Sequence, residues 1–122
     1  MSVELVERAE ALAARAYAPY SRYRVGAVVR ARDGREFGGV NVENAAYPLG
    51  ICAERSAIAA AVAAGCRPGD LDAIGISASP CGGCRQWLHE FAIAEVSYRD
   101  AGGALRTTSV AELLPEAWEL EA

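Results

Sequence analysis

Apolar residues recur at helical spacing at the start of the chain, at Leu5, Ala9, Leu12 and Ala16. This predicts a first helix from Ser2, as its cap, to about Ala16, with Glu4 and Glu7 suiting its positive end. Pro19-Tyr20-Ser21 breaks the pattern. The period then changes. Val25 to Val29 reads as a buried strand, Asp33-Gly34 as a hairpin turn and Glu36 to Val42 as the partner strand. From about Cys52 to Ala64 alanines dominate, which predicts a helix buried on several sides and ended by Gly65. After the Pro68-Gly69 turn, Leu71 to Ser77 reads as a third strand and Cys81 to about Phe91 as another helix. Two more strands follow at Glu95 to Arg99 and Leu105 to Thr108, joined across Gly102-Gly103. Ser109 and Glu112 then form a capping box before a short helix that Pro115 follows. Strands interleaved with helices predict an α/β fold, a five-stranded mixed sheet in a three-layer α-β-α sandwich.

Composition changes this picture little. The 122 residues are 52% hydrophobic and 23% charged, enough for one core and too short for two, so residues 1–122 are expected to form a single domain. Charge is more informative. The net charge is −4, lysine is absent and the arginines are scattered, which argues against a nucleic-acid partner. No apolar run approaches a membrane span and no signal-like N-terminus is present, so a cytoplasmic location without membrane attachment is expected.

In a reducing compartment, clustered cysteines usually serve metal binding or catalysis rather than disulfides. Of Cys52, Cys66, Cys81 and Cys84, three fall near the starts of two predicted helices, where the helix dipole favours thiolates. Cys52, Cys81 and Cys84 therefore make a three-thiolate zinc site whose fourth position stays open for water. Glu54 lies two residues after a ligand. The pair Cys52-Ala-Glu54 and Pro80-Cys-Gly-Gly-Cys84 matches the zinc-deaminase motif, in which the glutamate is general acid and base. A closed structural site would need Cys66 or His89 as a fourth ligand. A redox Cys-x-x-Cys would leave Cys52-Ala-Glu54 without a purpose. Three thiolates on a dication leave one net negative charge, and Arg55, one residue beyond Glu54, is placed to offset it by donating to sulfur. The alternative for Arg55 is a surface ion pair, and Arg85 is open between the two roles.

The chain also carries Tyr17-Ala-Pro-Tyr-Ser21, Val25-Gly-Ala27, Asn41-Val-Glu-Asn-Ala45, Arg85-Gln86 and Leu113-Leu-Pro115. With the two cysteine motifs, in this order, it resembles the cytidine deaminase family, in its small three-cysteine homotetrameric branch. The resemblance implies hydrolytic deamination of cytidine and deoxycytidine with release of ammonia, in pyrimidine salvage. It also implies one zinc per chain and a homotetramer with sites near subunit boundaries. It places Asn41 and Glu43 on the ribose 3′-hydroxyl, as donor and acceptor, with strand-end capping as the plainer alternative. It turns the Ala53 amide toward the pyrimidine carbonyl oxygen. Tyr23 and Trp118 stand where the family usually has phenylalanine, one lining the base pocket and the other reaching a neighbouring subunit's site. Both remain able to stack, and core packing is the other reading for each. Only Ala78 and Ser79 separate the third strand from Pro80, where the family has a longer loop.

Two related readings use the same residues: deamination of another cytosine nucleoside such as a blasticidin-type antibiotic, and editing of nucleic acid. A non-catalytic zinc module is a third. The acidic balance opposes editing, and Glu54 opposes the module, because a structural zinc needs no carboxylate beside an open position.

Overall fold

The computed structural model describes residues 2–120. Helix α1 spans Val3–Ala13, strands β1 and β2 span Gly26–Ala31 and Glu36–Val40, and a 3₁₀ turn covers Tyr47–Leu49. Then come α2 at Ala53–Ala63, β3 at Leu71–Ile76, α3 at Gly82–Glu90, β4 at Glu95–Arg99, β5 at Leu105–Thr108 and α4 at Val110–Leu113. The strands form one sheet in the order β2-β1-β3-β4-β5. β3 and β4 pair in parallel, through the crossover that carries α3, and the other three pairings are antiparallel.

Alternation along β1 divides the core. Ala27, Val29 and Ala31 face one side, with Ala57, Ile58, Ala61 and Leu88 of α2 and α3. Val28 faces the other, with Leu5 and Ala9 of α1. The sheet is thus covered on both faces, giving the expected three layers. On the α1 side the helix comes very close. A Cβ on Gly26 would lie 2.9 Å from the Ala13 nitrogen and run into the Ala9 carbonyl. On the α2 side Gly39 has the same purpose, for its Cβ would sit 2.6 Å from the Ala53 carbonyl oxygen and 2.8 Å from the Ala57 Cα. The start of α2 is therefore pressed against the sheet. A side chain at Gly39 would push it away.

Several local expectations differ from the structure, and α1 already ends at Ala13 rather than near Ala16. The Ser2 hydroxyl does not cap α1. It turns inward to the Ser97 hydroxyl, which also bonds Thr107 at 2.8 Å, so two buried hydroxyls satisfy each other instead of the helix end. β2 stops at Val40, and Val42 instead bridges singly to Tyr17 and to Ile51. Helix α2 is buried along Ala53, Glu54, Ala57, Ile58 and Ala61, while Ala59, Ala60 and Ala63 face solvent. Within this chain it is covered on one face.

Candidate active site and metal centre

Helices α2 and α3 point their N-termini at one another from the same side of the sheet. Cys52 is the cap residue of α2 and Cys81 that of α3, both in extended backbone, and Cys84 lies in the first turn of α3. Their Sγ atoms all lie within 4.8 Å of one another, and Cys52 and Cys81 are 3.8 Å apart. A tetrahedral zinc with Zn–S bonds of about 2.3 Å separates its sulfurs by about 3.8 Å. The donor set fits that ion. Among the described residues no fourth His, Cys, Asp or Glu joins the cluster. Cys66 is buried in the core with Arg35 Nη2 at 3.7 Å, and His89 pairs with Glu119 at 2.8 Å.

Electrostatics at the cluster favour a cation. Burial first, then the neighbouring Cys81 and Glu54 charges, push the Cys52 thiol up. Burial and Glu54 push Cys84 up further. At Cys81 burial also works against ionisation. There the Cys84 amide, 3.4 Å from its sulfur, together with the other two thiols, more than offsets burial and brings Cys81 below the ordinary thiol value. A dication reverses the preference of the two raised thiols, so metal binding releases protons.

Arg55 and Arg85, one residue beyond Glu54 and Cys84, have different fates. The Arg55 guanidinium packs over Gly83, where a Cβ would strike it, and burial opposes its charge. The sulfurs of Cys84, Cys52 and Cys81 more than compensate and hold it charged. Its Nε is buried without a hydrogen-bond partner. Arg85 turns away from the sulfurs. It donates from Nε to the Pro80 carbonyl and from Nη1 to the Leu113 carbonyl, each at 2.9 Å, tying the loop before Cys81 to the end of α4.

Glu54 is 3% exposed. Burial raises its carboxyl above the usual range, and its own amide, the Cys84 thiol and Arg55 only partly offset this. It lines a pocket of about 280 Å³ with Cys52, Cys81, Ala53, Asn41, Glu43 and Tyr23. Asn41 Oδ1 accepts from the Val25 amide and Nδ2 donates to the Tyr23 carbonyl, both at 2.8 Å. Glu43 Oε1 accepts from the amides of Tyr20 at 3.0 Å and Ser21 at 3.1 Å, while Oε2 accepts from the Ser21 hydroxyl. Both side chains brace the connection between α1 and β1. The amide keeps one N–H and one lone pair, and the carboxylate one acceptor direction, for a ligand.

Comparison with known proteins identifies the group. Residues 2–99 match the family described as the cytidine and deoxycytidylate deaminase zinc-binding region. The chain belongs to this family. A cytidine deaminase of Sporosarcina psychrophila is 39% identical, with 99% of this chain and 94% of the relative aligned. One of Halalkalibacterium halodurans is 42% identical, over 92% and 91%. The crystal structure of cytidine deaminase from Burkholderia pseudomallei superposes with a TM-score of 0.89 at 43% identity, covering 97% of this chain and 99% of that one. That from Mycobacterium tuberculosis gives 0.82 at 37%, covering 96% of each. Zinc is accordingly the metal of the three-cysteine cluster.

Trp118 lies apart from the pocket, 69% exposed, in a groove with Gln86, Trp87, Glu90 and Phe91. Its carbonyl accepts from Gln86 Nε2 at 2.9 Å. The structure adds pocket walls to which the sequence assigned no role, Val25, Val42, Gly50 and Ile51, and puts Ala78 and Ser79 among them. Of these, Ala78 and Ser79 had a signal, the short run between β3 and Pro80. The bridge from Val42 to Ile51 had none, because a single pairing leaves no alternation to read.

Proposed function

We propose that this chain removes the amino group from free cytidine and deoxycytidine by hydrolysis, giving uridine, deoxyuridine and ammonia, as a single catalytic domain over residues 1–122. The observation that carries the proposal is a carboxylate, Glu54, buried in the pocket that Cys52 and Cys81 of the three-thiolate cluster line together with Asn41 and Glu43. A pocket of about 280 Å³ is at the small end for ligand sites and suits a nucleoside.

Zinc, one per chain on Cys52, Cys81 and Cys84, supplies an acidified water as the nucleophile when bound. Glu54 would carry the two protons that the hydrolysis moves, one to the pyrimidine ring nitrogen N3 and one to the departing amine, which leaves as ammonia. A carboxyl raised by burial both holds and releases a proton more readily near neutrality. Arg55, charged against the cluster, offsets the excess negative charge of three thiolates. The Ala53 amide is the first of α2, with no carbonyl a turn earlier to bond, and is free for the pyrimidine carbonyl oxygen. Asn41 and Glu43 hold the 3′-hydroxyl with the donor and acceptor directions the loop leaves them. Tyr23 covers the base. The setting is pyrimidine salvage in the cytoplasm, in a homotetramer where Trp118 reaches a neighbouring subunit's pocket.

The test is discrimination at the sugar. A 3′-phosphate removes the proton that Glu43 accepts and adds charge of the same sign, so kcat/KM for cytidine should exceed that for its 3′-phosphate by at least about tenfold. Glu43→Gln should weaken cytidine use and narrow the gap. Equal use of both compounds by the parent protein would remove Glu43 from the sugar site and reopen the nucleic-acid reading.

A further inference from the structure

With no lysine in the sequence, positive charge rests on arginine, and nearly every guanidinium is tied down. Arg8 pairs with Glu36, Arg30 with Asp72 and Glu4, Arg35 with Asp33, Arg99 with Glu10 and Arg106 with Asp100. Arg32, Arg67 and Arg85 donate to main-chain carbonyls, and Arg55 lies against the Cys84 sulfur. Among the described residues, the guanidinium groups of Arg15, Arg22 and Arg24 alone have no such partner. All three fall in the one connection between α1 and β1. A chain of net charge −4 has carboxylates to spare, yet none of the described ones forms an ion pair with them.

Arg22 and Arg24 line one groove of about 430 Å³ with Tyr17, Pro19, Ala16 and Ala18. The backbone is bent to form it. Arg22 has φ 61° and its amide closes a turn onto the Ala18 carbonyl at 2.9 Å, a conformation that a bulky residue adopts only when its surroundings impose it. Tyr23, between the two arginines, lines the active-site pocket instead.

We propose that this groove is a second ligand site, which binds the phosphate group of a small molecule through the Arg22 and Arg24 guanidinium groups. A guanidinium presents a planar fork of N–H donors that matches phosphate oxygens in pairs. Two such groups on one groove that no carboxylate lines attract an anion that the rest of this acidic surface repels. The groove is larger than phosphate alone requires, and the half-exposed Tyr17 ring gives it an apolar wall on which a base can stack. A nucleoside monophosphate therefore fits as well as free phosphate. Occupancy is felt in the pocket, because the same connection supplies Tyr23, and because Asn41 and Glu43 grip its other atoms. A ligand on Arg22 and Arg24 fixes that connection and lowers KM for the nucleoside without touching it. The binding step stands independently of the proposed reaction, and only the kinetic effect rests on it.

The experiment is calorimetric titration of the zinc-loaded protein with inorganic phosphate and, separately, with adenosine 5′-monophosphate, at constant low ionic strength set with chloride. Saturable binding of phosphate or the nucleotide is expected, with tighter nucleotide binding if Tyr17 stacks the base. Equal affinities assign the site to the phosphate group alone. In the Arg22→Gln/Arg24→Gln protein, affinity should fall at least about tenfold, with zinc content, molecular mass by light scattering, and phosphate-free kcat and KM unchanged. Absence of saturable binding, or the same affinity in the double variant, overturns the proposal. So does a change of mass in the double variant, which would assign the arginines to a contact between copies.

Discussion

Glu54 is a carboxylate that its surroundings make hard to ionise. Its 3% exposure would ordinarily exclude an ionised carboxylate, and burial does raise its carboxyl. Its own amide, the Cys84 thiol and Arg55 offset that rise only in part. Because Glu54 is outside the three-sulfur set, Glu54→Gln should retain zinc and nucleoside binding. Turnover should fall at least about a hundredfold, the usual scale of general acid–base catalysis. Metal analysis and steady-state kinetics read the two effects separately, and loss of zinc would make Glu54 a ligand instead. Glu43 is the opposite case. The Ser21 hydroxyl, and behind it the Ser21 and Tyr20 amides, outweigh desolvation and hold its carboxyl below the usual range. A lowered carboxylate stabilises the connection at neutral pH and loses that effect as pH falls through the lowered value. Ser21→Ala raises that value, so the rise in KM on acidification should begin at a higher pH in the variant. Superimposable acid limbs would show that this contact does not hold the loop. The chemistry-bearing residues were legible in the sequence because Cys52, Glu54, Cys81 and Cys84 sit at fixed offsets from helix starts. The bracing by Asn41 and Glu43 was not, since it depends on a connection with no periodicity.

At the level of elements, β4 and β5 lie where the sequence placed them, at Glu95–Arg99 and Leu105–Thr108, on either side of the Gly102-Gly103 turn that marked them. Ser2 was misread for a definite reason. A serine before a helix signals a cap only if its hydroxyl is not claimed by tertiary structure, and here Ser97 claims it. Arg85 takes neither of the two roles open to it in the sequence, for it donates to the Pro80 and Leu113 carbonyls rather than to sulfur or a carboxylate. The element that matters most for the site is α2, whose N-terminal turn carries Cys52, Ala53 and Glu54 and rests on Gly39. Gly39→Ala must displace the Ala53 carbonyl, and overpacking of this kind costs about 1–3 kcal/mol. We expect Tm to fall by roughly 3 to 10 °C. Zinc should also be lost to a chelator faster than from the parent, because the turn that moves bears a ligand. An unchanged Tm with unchanged zinc retention would show that α2 is not held by this contact.

Across the whole molecule, apolar side chains remain uncovered beside the pocket and at its far end. Tyr47, Leu49 and Ile51 are exposed near the pocket mouth, Trp118 lies on the C-terminal segment, and Ala59, Ala60 and Ala63 form the bare face of α2. The alanine-rich pattern predicted burial on several sides, and one chain supplies only one. A homotetramer would account for the difference. Light scattering should give four chains, and Trp118→Ala should raise KM or weaken assembly. A fully active monomer would contradict that expectation. Whether this chain deaminates cytidine by means of zinc on Cys52, Cys81 and Cys84 is open to a single titration. The metal is removed by a chelator and returned in measured amounts while the loss of cytidine absorbance is followed. Turnover should be absent without metal and should recover completely at about one zinc per chain. Full turnover by the metal-free protein, or none at one zinc per chain, would contradict that reading.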